Sequence, residues 1–128
     1  MTPDEHETGM RVRREVLGDT HVDRAEARKS EFTADFQHFL TRYGWGEVWG
    51  RPGLDRRSRS LITLSLLIAN DKFAELPMHV KAARRNGLTR EEIKELILHC
   101  AIYLGLPSAN EAYPLAEQAL DEFDADES

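Results

Sequence analysis

Residues 75–110 read ELPMHVKAARRNGLTREEIKELILHCAIYLGLPSAN, and this stretch decides the fold. Within it Thr89-Arg90-Glu91-Glu92 forms a capping box: the threonine hydroxyl accepts a backbone N–H, and the Glu92 carboxylate reaches back to the cap. Behind the box Ile93, Leu96, Ile97, Cys100, Ala101 and Leu104 recur at the spacing of one helix face. Ahead of it Lys72 to Asn86 reads as another helix, ended by Gly87. Pro77 fits only the first turn, so the ordered helix starts near Leu76 with Glu75 at its cap. Glu75 and His79 are four apart and share one helix face.

Further out, Asp55 is placed to cap a helix from Arg56 to about Asn70. Leu61, Ile62, Leu64, Leu66, Leu67 and Ile68 make it apolar nearly all round, the pattern of an element buried on several sides. Pro107 opens a last helix to about Phe123. Towards the N-terminus, Met10 to Leu17 reads as helix and stops at Gly18. Asp23 caps a second helix running towards Tyr43, with Phe32, Phe36, Phe39 and Leu40 at helical period. The glycine- and proline-rich stretch from Gly44 to Gly53 breaks it. No segment alternates as a strand does. The expectation is an all-α chain of about six to seven helices, one domain over residues 1–128, with 1–9 and 122–128 frayed.

A net charge of −6 argues against a nucleic-acid surface. The longest apolar run, Leu61 to Ala69, is interrupted by Thr63 and Ser65 and falls short of the roughly 20 residues that span a bilayer. With no basic-then-apolar leader, cytoplasmic residence is the expectation. Arg51, Arg56, Arg57 and Arg59 cluster in an otherwise acidic chain, which suits a small anionic ligand; they also fit helix faces that simply meet water. Cys100 is the only cysteine, so an intrachain redox pair is excluded, and it falls on an apolar stripe as a small buried hydrophobe does.

Chemistry concentrates at His79. A carboxylate one turn away, Glu75, fixes an imidazole tautomer and moves its pKa towards working pH; alone, a helix histidine is as readily structural. The other histidines show no metal-ligand spacing. The loop with Trp45, Glu47, Trp49 and Arg51 is a second constellation, its arginine suited to bidentate carboxylate binding and its tryptophans equally suited to plugging a core or a subunit contact. Tyr103 and Asn110 flank Gly105 and Pro107 as neutral hydrogen-bonding groups or turn residues.

The chain resembles the 4-carboxymuconolactone decarboxylase family, within the alkylhydroperoxidase D-like superfamily. The resemblance rests on Arg14 to Val22, Trp45-Gly46-Glu47-Val48-Trp49-Gly50-Arg51-Pro52-Gly53-Leu54, Arg56 to Leu67, Met78 to Gly87 and Tyr103 to Asn110. Peroxide-reducing relatives carry C-x-x-C before the histidine; here those two places hold Lys72 and Glu75, which removes the redox chemistry and leaves His79. The resemblance implies an all-helical homo-oligomer, hexamer or trimer of dimers, that needs neither metal nor cofactor. It implies decarboxylation of 4-carboxymuconolactone, a small anionic lactone, in the β-ketoadipate pathway. His79, Glu75, Glu47 and Tyr103 are then the catalytic candidates, with Arg51, Arg57 and Trp45 for substrate binding. The rival readings are a non-catalytic or stress-linked helical oligomer of the same superfamily, and a peroxidase using Cys100.

Overall fold

A computed structural model describes residues 4–127. Its elements are α1 (Glu5–Leu17), α2 (Asp19–Arg28), α3 (Ala34–Phe39), a π-helical segment (Leu40–Trp49), α4 (Arg56–Ala69), α5 (Leu76–Arg85), α6 (Arg90–Leu104) and α7 (Leu106–Glu127). No strand occurs among the described residues, and the all-α expectation holds. Contacts divide the chain into two compact units, Met1–Asp55 and Arg56–Ser128.

In the second unit α4, α5, α6 and α7 close a core around Leu64, Ile68, Leu76, Val80, Ile93 and Ile97. Ala109, Ala112, Ala116 and Ala119 form the buried stripe of α7, and their small side chains let it lie close to α5 and α6. The capping box is present: Thr89 Oγ1 accepts the Glu92 N–H at 3.1 Å and Glu92 Oε1 accepts the Thr89 N–H at 2.9 Å. α5 starts at Leu76, with Pro77 in its first turn and Glu75 at the cap. Gly87 follows its end at φ 100°, a conformation glycine adopts without a Cβ penalty. α4 corrects the expectation of all-round burial. It buries Ser60, Leu64 and Ile68, while Leu61, Ile62 and Leu66 are exposed, because its neighbours α5 and α6 cover one side only. α7 extends past Phe123 to Glu127 and accommodates Pro114, whose missing N–H would have met the carbonyl of the exposed Asn110.

In the first unit α1 starts at Glu5, inside the stretch expected to fray, because Asp4 accepts the Glu7 N–H at 2.7 Å. Residues 1–3 and 128 lie outside the described residues. The helix expected from Asp23 to Tyr43 is not continuous. α2 begins at Asp19, directly after Gly18 at φ 88°, and stops at Arg28, where Lys29 is extended. The Ser30 N–H then donates to Thr33 Oγ1 at 2.9 Å, a side-chain bond that competes with helix. Phe32, Phe36 and Phe39 are exposed rather than inward. Of the glycines read as a break, Gly46 is used for close approach to α1 instead, while a Cβ on Gly44 or Gly53 would meet nothing within 4 Å. A Cβ on Gly9 of α1 would stand 1.9 Å from the Thr41 carbonyl oxygen, and one on Gly46 would stand 2.6 Å from that of Glu5. Glycine therefore lets the π-helical segment lie on α1, and the helical path continues to Trp49.

Candidate active site

α5 presents His79. Its inward face, Leu76, Val80 and Ala83, is anchored in the core, which leaves His79 half-buried at the edge of the packed layer. Glu75 lies in the right-handed helical region (φ −87°, ψ −15°), and its carbonyl accepts the His79 N–H at 3.4 Å. The two residues are therefore one turn apart as their spacing predicts, with the Glu75 side chain at the exposed end.

Tyr103 is the penultimate residue of α6. It is 76% exposed, and its ring is tilted against that of His99 with centroids 5.1 Å apart. Arg57, the second residue of α4, donates to the Gly87 carbonyl and to the Glu92 carboxylate. Its guanidinium thus fastens the start of α4 to the loop and cap that precede α6. That bond, with the Thr89 N–H second, lowers the Glu92 pKa from 4.5 to about 2.

In the first unit the π-helical segment carries Trp45 and Glu47. Trp45 is buried and Glu47 exposed. The Trp45 ring meets that of the half-buried Trp49 at 5.1 Å between centroids, tilted by 34°. Arg51 is exposed in the turn that follows, its N–H donating to the Val48 carbonyl at 3.3 Å. The seven residues divide between the units: Glu75, His79, Tyr103 and Arg57 in one, Trp45, Glu47 and Arg51 in the other.

A groove of about 590 Å³ runs between α4 and α6 and is lined by none of these seven residues. Leu61, Ser65, Leu96 and Cys100 line it with Glu91, Glu92, Glu95 and His99. Arg57 with Glu92, and Ser65 with Cys100 (4.0 Å between their terminal atoms), are both pairs 35 residues apart, so the two helices run side by side in the same direction. Spacing within one helix cannot reveal such a groove, because it forms between two. On its lining Glu92 is paired with Arg57 and Glu91 with Lys94. Among the described residues no cluster of three or more His, Cys, Asp or Glu is placed to hold a metal, and no helix is long and apolar enough to cross a membrane.

The family model described as "Carboxymuconolactone decarboxylase family" matches residues 34–118. A 4-carboxymuconolactone decarboxylase of Acinetobacter baylyi is 50% identical over 113 residues, covering 88% of this chain and 84% of that protein. A nitrosuccinic acid decarboxylase of Metarhizium robertsii is 42% identical over 114 residues, 89% of this chain and 80% of that protein. A 4-carboxymuconolactone decarboxylase sequence from Pseudomonas putida is 45% identical over 42 residues, 33% of this chain and 88% of that sequence. A match that runs through the π-helical segment, α4, α5, α6 and much of α7 is a match to the fold and not to one motif: the chain belongs to the carboxymuconolactone decarboxylase family.

Proposed function

We propose that this chain decarboxylates 4-carboxymuconolactone to β-ketoadipate enol-lactone and carbon dioxide, in protocatechuate breakdown and without a cofactor. The observation that carries this reading is the 50% identity to the Acinetobacter baylyi enzyme across 88% of the chain.

The substrate supplies its own electron sink. Its departing carboxylate sits on a ring carbon next to a double bond conjugated to the lactone carbonyl. When the bond to that carboxyl group breaks, its electron pair passes through the double bond to the carbonyl oxygen and gives a dienolate. A proton taken up at the carbon alpha to the carbonyl completes the enol-lactone. The polypeptide has three tasks: to hold the retained acetate arm, to keep the departing carboxylate away from tight cations and water, and to deliver the proton.

Arg51 grips the acetate arm in this reading. Arg57, whose guanidinium binds Glu92 and Gly87, is the second choice. Glu47 or Glu75 keeps the surroundings of the departing carboxylate anionic, and Trp45 excludes water. Tyr103 donates to the developing oxyanion, and His79, as imidazolium held by Glu75, protonates the alpha carbon.

The second relative widens the substrate class. 4-Carboxymuconolactone and nitrosuccinic acid share one unit: a carboxylate on a carbon that bears an electron sink, beside a CH2–carboxylate arm. A site that grips the arm and protonates the carbon skeleton after carbon dioxide leaves serves both, and 2-nitrosuccinate is the natural second substrate to try on this chain. The same reading treats the two units as one domain, supported by a family match that runs across residue 55. It also has the chain working as a cytoplasmic homo-oligomer, hexamer or trimer of dimers.

Turnover in deuterium oxide tests the proposal. The expected product is enol-lactone with one deuterium at the carbon alpha to the carbonyl, placed on a single face. Deuterium distributed equally over both faces means that the enzyme does not deliver the proton.

A further inference from the structure

The mechanism above uses nothing from α1, yet α1 carries one of the most enclosed charges in the chain. Arg13 is 4% exposed. Its two terminal nitrogens donate to Thr41 Oγ1 and Gln37 Oε1, both at 3.2 Å, and the Glu26 carboxylate lies 3.7 Å away. Glu26 in turn pairs with Lys29 at 2.8 Å. Burial lowers the Arg13 pKa, and Glu26 opposes that shift. One guanidinium therefore ties α1 to α2, α3 and the first turn of the π-helical segment.

Stability alone does not account for such a group, because a buried ion pair replaced by hydrophobic residues of similar volume is often neutral or stabilising. The segment it holds offers a better account. π-Helical bonding runs i→i+5 and mostly appears as a single turn, often at functional sites; here it extends over Leu40–Trp49. Two kinds of contact with α1 hold it in this form. Gly9 and Gly46 bring the backbones together, and Arg13 grips Thr41, which is 1% exposed. A return to i→i+4 bonding would remove a residue from each turn and swing the side chains beyond Thr41 to a new bearing. Those side chains include Trp45, Glu47 and Trp49.

We infer that Arg13 is a positioning residue, which fixes the π-helical register through Thr41 and so sets the bearing of Trp45, Glu47 and Trp49 for the reaction. The inference rests on the assignment of Trp45 and Glu47 to the active site.

The test is Arg13→Met in the full-length protein, read by three independent measurements. The chain has two tryptophans, so its tryptophan exciton circular dichroism belongs to the Trp45–Trp49 pair. The expected result is a protein that still folds, with a couplet reduced by about half or more, and kcat lowered about tenfold or more with KM within about threefold. Arg13→Lys, which keeps the charge and loses the fork, should fall between. A full couplet and full kcat in stable Arg13→Met overturns the inference. Should Arg13→Met not fold, Thr41→Val decides in the same way, since it leaves the charge paired and removes only the grip on the segment. Couplet lost with kcat intact upholds the hold of Arg13 on the tryptophans and contradicts instead the assignment of Trp45 and Glu47 to the chemistry.

Discussion

The Arg57 guanidinium and the Glu92 carboxylate close the N-terminus of α6 from outside, while Thr89 closes it from within. Because Arg57 also takes the Gly87 carbonyl, one side chain joins the start of α4, the α5–α6 loop and the cap of α6. The helix that presents His79 ends just before this junction, so the junction sets where α5 can lie.

This junction should respond to acid. Arg57 first, and the Thr89 N–H second, hold the Glu92 pKa at about 2 against an ordinary 4.5. A folded-state pKa below the unfolded one contributes stability that is complete above about pH 4.5 and is lost as pH falls towards 2. Glu92→Gln should therefore be less stable than wild type at neutral pH in urea titrations, and the gap should close as pH falls through this window. A gap that stays constant down to the lowest pH contradicts the assignment.

The two arginines proposed for substrate should separate. Arg51→Met is expected to raise KM about tenfold or more, because a bidentate grip on the acetate arm is lost. Arg57→Met should lower the melting temperature through the α6 cap and leave KM close to wild type. The reverse pattern makes Arg57 the substrate arginine.

Glycine at position 9 should be indispensable for packing. An alanine there gains helix propensity of about 1 kcal/mol, but its Cβ would meet the Thr41 carbonyl oxygen at 1.9 Å and force the π-helical segment off α1. Gly9→Ala should lose about 2–3 kcal/mol in urea unfolding. Gly44→Ala, whose Cβ meets nothing within 4 Å, should stay within about 0.5 kcal/mol of wild type.

Glu26→Gln should destabilise by about 1–3 kcal/mol, because it removes the countercharge from buried Arg13. Denaturant titration checks this. Pairing it with Arg13→Met should recover much of the loss, and a fully additive double variant contradicts the coupling.

Local chemistry made most of the second unit legible. The Thr89 box, the Gly87 stop, the Pro77 start and the Glu75–His79 turn all arise from bonds within a few residues, and each appears where its spacing places it. The first unit was harder to read because its decisive contacts join residues far apart. Gly44 and Gly46 carry the composition of a break, and only the carbonyl of Glu5 lying against Gly46 explains why helix continues past them to Trp49. Phe32, Phe36 and Phe39 have the period of a core face, yet all three are exposed. At the candidate site the spacing revealed His79 with Glu75. It could not reveal that Arg57 is taken up by Glu92, or that a buried arginine at position 13 grips the segment carrying Trp45 and Glu47.

Release of carbon dioxide from 4-carboxymuconolactone, measured with chelator-treated wild type and His79→Ala side by side, tests the central claim most directly. Sustained turnover by the wild type and a loss of about 10²–10⁴-fold in folded His79→Ala are expected. A folded wild type that releases none, or a His79→Ala variant that matches it, contradicts the account.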